Sequence, residues 1–202
     1  MQAGDLVVAV FIFSSNAASF TGPGGSWVEV LAPTSTNIGT VDPRLLAIYY
    51  QFDPASGPTG TTTNAAGRQT VICQAYGGVD TSTPIDAAAA VNADSVGDTQ
   101  PLPAPSITTV TANALLLSAL THNASSQTYT EPAGMTMEAS TAGAGVGRGG
   151  ALAREVRATP GATGTRTFAA SGSTTVSSVA ANFALRPAAG GGGGRRDHPD
   201  VP

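Results

Sequence analysis

The stretch FTGPGGSWVEV, residues 20–30, places one proline and three glycines between two apolar segments. Proline fixes φ and lacks an N–H, and glycine at position 24 or 25 can adopt a positive φ, so the stretch predicts a chain reversal between strands. YTEPAGMTMEA, residues 129–139, repeats the pattern 109 residues later, with Gly134 in the corresponding place. The repeat predicts two weakly similar halves.

Further matches extend the repeat. At an offset of 109 residues the matching pairs are Leu6 with Leu115, Phe20 with Tyr129, Pro23 with Pro132 and Glu29 with Glu138. At an offset of 106 residues, Leu46 and Ala47 match Leu152 and Ala153. ALAREVRA, residues 151–158, is therefore predicted to be a strand, although its intrinsic propensity also suits a short helix.

Short runs of β-branched and aromatic residues bounded by turn residues predict the other strands. They are LVVAVFIF (6–13), SWVEVL (26–31), RLLAIYYQF (44–52), TVICQAY (70–76), ALLLSAL (114–120), MTMEA (135–139), TRTFAA (165–170) and TVSSVAANFAL (175–185). LVVAVFIF is apolar on both faces, which favours a central strand covered on each side or a strand at an interface. In the last run, the face with Val179, Ala181, Phe183 and Leu185 is the predicted core face.

These strands predict an all-β fold with almost no helix: a two-sheet antiparallel β-sandwich, jelly-roll-like. One domain is expected over residues 1–187, with halves at about 3–86 and 106–187, and a Gly-rich tail over 188–202. Between the halves, residues 86–106 contain three alternating prolines. They predict an extended connection outside the hydrogen-bonded ladder.

The composition excludes some function classes. Charged residues make up 11% of the chain, against about 25% in ordinary domains. The net charge is −4, every basic side chain is an arginine, and only Arg195 and Arg196 are adjacent, so the clustered cations that nucleic-acid binding needs are not expected. The longest apolar run, residues 6–13, is too short to span a membrane and lacks the basic start of a signal peptide. We expect a soluble protein made in the cytoplasm, with no membrane and no nucleic-acid partner.

Motifs for catalysis are weak. No nucleophile elbow G-x-S-x-G occurs, and His122, predicted to lie in a solvent-facing loop, is far in sequence from His198. GVGRGG, residues 145–150, fits G-x-G-x-x-G, but the following segment reads as a strand, whereas a dinucleotide site needs a helix there. Cys73 is predicted to be a small buried side chain. We expect no enzyme, no catalytic residue, no cofactor and no metal.

Two alternatives stay open at this point. Carboxylates distant in sequence could meet in space as a glycosidase pair. In the loop GVDTSTPID, residues 78–86, Asp80 and Asp86 could hold calcium, although an Asx turn at Asp80 is favoured because calcium needs six or more oxygen ligands.

Tyrosines supply the contact candidates. Sugar-binding sandwiches stack rings on exposed aromatic side chains, so Tyr49, Tyr50 and Tyr129 are possible glycan or partner contacts. Arg195 and Arg196 are possible docking residues of the tail.

Taken in order, the stretches GDLVVAV, GPGGSWVEV, LAIYYQF, AYGGVDTSTPID, GATGTRTF and VAANFALRP resemble a β-sandwich module of virion proteins from tailed phages of GC-rich hosts. The resemblance covers about residues 3–187. It implies a non-enzymatic structural protein on the virion surface: a capsid decoration or head-fibre protein, or a minor tail component, sometimes with host-surface binding. Coat or tail proteins and further copies of the chain would be its partners; a carbohydrate-binding adhesin that recognises host glycans is the alternative.

One departure from this module concerns the first strand. Such modules usually have a further strand before the stretch that corresponds to residues 3–10, so we expect that an edge is missing or is supplied by another chain.

Overall fold

A computed structural model describes residues 3–14, 20–36, 44–54, 61–62, 68–98, 103–122, 127–142, 149–171 and 176–190. The described part contains strands and no helix. The strands are β1 (Leu6–Ser14), β2 (Phe20–Thr21), β3 (Val28–Ser35), β4 (Arg44–Phe52), β5 (Thr61–Thr62), β6 (Arg68–Tyr76), β7 (Ile85–Asp98), β8 (Thr108–Thr109), β9 (Ala114–His122), β10 (Tyr129–Thr130), β11 (Thr136–Thr141), β12 (Gly149–Arg157), β13 (Gly161–Ala162), β14 (Ala169–Ala170) and β15 (Val176–Leu185).

The predicted all-β sandwich of two antiparallel sheets is confirmed. Sheet 1 has the order β3-β4-β1-β6, and sheet 2 has the order β11-β12-β9-β15-β7. Each sheet comes from one half of the chain, apart from β7. Two-stranded ribbons, β2 with β5 and β10 with β14, recur at equivalent points of the two halves.

The strand registers refine the sequence repeat. Leu6 faces Tyr76 in sheet 1, and Leu115 faces Leu185 in sheet 2, so both strands of the pair shift by 109 residues. Phe52 also faces Leu6 while Val156 faces Leu115, so β4 and β12 are offset by 104 residues, from 52 to 156. The predicted offset of 106 is wrong by two residues, which leaves the strand faces unchanged because side chains alternate with period two.

The matched glutamates are not equivalent. Glu29 lies opposite Tyr49 in β4, whereas Glu138 lies at the bulge between Met137 and Ala139. The turns before these strands do correspond: Gly25 and Gly134 have φ of 78° and 80°, as predicted. The second half has one residue fewer between this glycine and the strand.

The main core lies between the sheets. Inward side chains of β1, β4 and β6 meet those of β9, β12 and β15 in one cluster of buried residues. The predicted core face of β15 is confirmed, since Val179, Ala181, Phe183 and Leu185 are all at most 1% exposed.

The outer faces of both sheets are partly buried as well. On sheet 1, Phe11 and Phe13 of β1 pack beneath Phe20 and Trp27, so LVVAVFIF is a central strand covered on each side. On sheet 2, residues 103–107 cross the outer face, where Asn182 donates to the carbonyls of Ala104 and Pro105. The second face of β15 is therefore also buried, which its mixed polar and small residues did not predict.

Three local predictions are wrong. Residues 86–98 belong to β7 and pair with β15, so the connection between the halves lies inside the ladder over this length. In TRTFAA only Ala169–Ala170 forms a strand. Cys73 is exposed, because its side chain projects from the outer face of the edge strand β6. The strand prediction for ALAREVRA is confirmed by β12.

Candidate functional site

The side chain of Tyr49 makes contacts inside the protein. Its side chain is buried, its hydroxyl donates to Glu29 Oε2 at 3.1 Å, and its ring meets Phe11 edge-on at 5.8 Å. Burial and the Glu29 carboxylate raise the pKa of Tyr49 to about 12. Tyr49 therefore offers no free ring face to a sugar.

Tyr129 is similarly enclosed. It is buried, its hydroxyl lies 3.4 Å from His122 Nδ1, and burial raises its pKa above the ordinary value. Arg195 and Arg196 lie outside the described residues, as does most of GVGRGG. Where that motif becomes described, at Gly149, β12 begins, so the helix that a dinucleotide site needs is replaced by a strand.

Tyr50, another of the predicted contact residues, lines a cleft. It is half-buried on β4, and burial raises the pKa of its hydroxyl. The cleft has a volume of about 280 Å³, near the lower limit for ligand pockets. It is lined by Ser26, Val28, Tyr50, Gln51, Phe52, Thr81, Ser82 and Pro84.

The cleft combines one aromatic wall with short polar groups. Phe52 meets Tyr50 nearly perpendicularly, at 6.3 Å between ring centroids. Ser26, Thr81 and Ser82, which carry hydroxyl groups, also line the cleft. Such a surface can contact one sugar ring or one protein side chain by apolar packing and hydrogen bonds. Sequence analysis found Tyr50 but missed the loop residues 81–84, because β4 and this loop meet only in the folded chain.

Asp80 and Asp86 have separate structural roles. Asp80 accepts hydrogen bonds from the N–H groups of Ser82 at 2.8 Å and Thr83 at 3.0 Å, which is the predicted Asx turn. These bonds lower the pKa of Asp80. The Asp86 carboxylate is buried, accepts from Val110 N–H at 2.8 Å and lies 3.5 Å from Arg186 Nε. In the described ranges, no three His, Cys, Asp or Glu side chains are grouped to hold a metal ion.

His122 was predicted to lie in a solvent-facing loop, and this prediction is wrong. It is 2% exposed at the end of β9, where the Tyr129 ring lies edge-on at 5.9 Å. Burial, followed by the nearby positive charge of Arg44, lowers the pKa of His122 to about 4. Both neighbours belong to other strands, β10 and β4, so the local sequence THNASS carried no signal of this burial.

We expect acid to destabilise the protein through His122. Its pKa is about 4 in the folded chain and about 6.5 in the unfolded chain, so the unfolded state binds more protons between these values. The free energy of unfolding should be fully retained above pH 6.5 and should fall as the pH drops towards 4. Tyr129 and Arg44, which face the ring, do not titrate in this window.

Urea denaturation at a series of pH values measures this effect. The His122→Gln variant, which cannot titrate, should show a smaller slope of stability against pH than the wild type between pH 4 and 6.5. Equal slopes would contradict the assignment.

In comparisons with known proteins, no protein family, no curated protein and no solved structure matches the chain. Within the described ranges, no helix has the length and apolarity to cross a bilayer.

Proposed function

We propose that the protein is a non-enzymatic structural component of a tailed-phage virion, which acts through protein–protein surface contacts. A capsid decoration protein, a head-fibre protein or a minor tail component all fit this role. The resemblance of residues 3–187 to virion sandwich modules supports the class of protein.

The observation that supports the proposal is that several polar and charged side chains make hydrogen bonds or ion pairs with other parts of the protein. Asp86 holds a backbone N–H and Arg186, and Glu155 contacts Arg157 at 2.7 Å and Arg166 at 2.6 Å. His122 is packed against Tyr129. These contacts stabilise the fold.

The low charge of the chain favours docking. Interfaces between proteins are depleted in charged residues at their centre, because charges are costly to remove from water. A chain with 11% charged residues can present β surfaces to coat or tail proteins at a small desolvation cost.

The test is to purify the virions whose genome encodes this chain and to image them with a label at residue 202. We expect the label on the particle surface in a regular, symmetry-related pattern. Recovery of the chain only in the soluble fraction of the lysate, with none on particles, would refute the proposal.

A carbohydrate-binding adhesin is the second candidate, because Tyr50 lines a cleft together with residues that carry hydroxyl groups. If it is correct, the full chain binds a glycan array, and Tyr50→Ala removes the signal. Val110→Ala, at a residue that is 61% exposed and outside the cleft, should leave the signal unchanged. No signal from the folded wild type would reject the adhesin and leave the assembly role in place.

A further inference from the structure

The two sheets differ at one edge. In sheet 2, β15 is flanked by β9 on one side and β7 on the other. Its counterpart in sheet 1 is β6, which pairs with β1. Within the described part of the chain, no strand takes the place on the far side of β6 that β7 takes beside β15.

The edges also differ in regularity. Register shifts interrupt β3 near Leu31, β11 near Glu138, and the pairing of β7 with β15 at three points. Such bulges protect sheet edges from pairing with other chains. In contrast, β6 pairs with β1 over nine consecutive residues with one unbroken register. It contains no proline or lysine, and its only charge is Arg68 at one end.

The outward backbone groups of β6 can be assigned. Asp53 N–H donates to the Asp5 carbonyl at 3.0 Å, in the register of β1 with β4. Odd-numbered residues of β1 therefore bond towards β4, and even-numbered residues bond towards β6. Even-numbered residues of β1 face even-numbered residues of β6. The N–H and C=O groups of Gln69, Val71, Cys73 and Ala75 consequently point away from the sheet.

These four residues are complementary to a second copy of themselves. If two β6 strands run antiparallel about a two-fold axis at Ile72, Gln69 lies opposite Ala75 and Val71 lies opposite Cys73 in each direction. All four outward residues of both strands then form hydrogen-bonded pairs. The core face of each copy stays on the same side of the joined sheet, and position 68 of one copy lies at the opposite end of the paired strands from position 68 of the other.

We propose that two copies of the chain associate through β6, edge to edge and antiparallel, to form one continuous eight-stranded sheet from their two sheets 1. The proposed dimer rests on the proposed function, in which the chain is a component of an assembly. It names the partner as a second copy and the contact as residues 68–76.

Sedimentation equilibrium of the full chain tests the pairing. We expect a dimer for the wild type and for the Cys73→Ala control. Cys73→Pro removes the outward N–H in both copies, while the bonds to β1 come from the even-numbered residues and stay in place. It should raise the dimer Kd by about tenfold or more. A monomeric wild type, or a folded Cys73→Pro variant that dimerises as well as Cys73→Ala, would overturn the proposal.

A second variant remains informative if Cys73→Pro does not fold. Val71→Cys places a thiol opposite the native Cys73 of the other copy, at a Cα separation of about 5.5 Å, within disulfide range. Mild oxidation should give a covalent dimer on a non-reducing gel. Val71→Cys with Cys73→Ala should not, because the two thiols at position 71 lie diagonally apart. Equal cross-linking of both variants, or of neither, would reject this register.

The two proposals fail in different ways. A chain that is monomeric in solution but present on virions contradicts the β6 contact and leaves the virion role. A chain that dimerises through β6 but is missing from particles supports the contact and contradicts the virion role.

Discussion

The Phe183→Ala variant should lose about 3 to 5 kcal/mol of unfolding free energy. Phe183 is fully buried in the cluster between the sheets, and it lies on β15 directly opposite Leu117 of β9. Truncation removes the apolar area of the ring from the core and leaves a cavity. Because β15 is held between β9 and β7, the surrounding strands have little freedom to collapse into that space.

The loss is a large part of the total stability of an ordinary domain, which is about 5 to 15 kcal/mol. Urea denaturation followed by tryptophan fluorescence of Trp27 would measure it. Val156→Ala is the matched control, because Val156 is 47% exposed and should change stability by about 0.5 kcal/mol or less. A loss below 1 kcal/mol for Phe183→Ala would show that the two sheets are not packed as described.

The second large effect is expected at Asp86. Replacement by alanine removes a fully buried carboxylate, leaves the N–H of Val110 without its acceptor and deprives Arg186 of its anionic neighbour. Removing the partner of a buried hydrogen-bonding group typically costs about 1 to 3 kcal/mol, and more when a charged group is involved. We expect a loss in that range, with a lower thermal unfolding temperature.

Asp80→Ala is the control, because Asp80 lies in the loop just before β7 and also accepts two backbone hydrogen bonds, but in an exposed turn. Its effect should be clearly smaller. The double variant with Arg186→Ala should lose less than the sum of the two single variants, because the pair is coupled. If Asp86→Ala and Asp80→Ala destabilise equally, burial of the Asp86 carboxylate has no energetic role.

Much of the fold was predictable from local patterns. RLLAIYYQF was predicted over residues 44–52 and forms β4 over the same residues, because β-branched and aromatic side chains favour a pleated, buried backbone. The turn glycines 25 and 134 have the predicted positive φ. In the candidate cleft, Tyr50 was predicted as a contact residue, whereas Tyr49 and Tyr129 are enclosed by side chains from other strands.

The missed features share a cause. The first part of β7, IDAAAAV, has mostly alanines and gave no strand signal, and its pairing partner β15 lies about 90 residues away in sequence. His122 is buried by residues from β4 and β10, and Cys73 is exposed because β6 is an edge strand. The alternation of polar and apolar side chains along a strand does not reveal which strands will be its neighbours or where it will lie in a sheet.

The amino-acid sequence by itself determined the strand-rich character, the two related halves, the chain-reversing turns and the inner face of β15, because all of these follow from backbone preferences and side-chain alternation over short distances. The tertiary structure alone decided which strands are neighbours, that parts of both faces of each sheet are covered, and that β6 forms a regular edge of sheet 1 among the described strands. These features depend on contacts between residues far apart in the chain, whose free energies become effective only when the sheets have formed and packed.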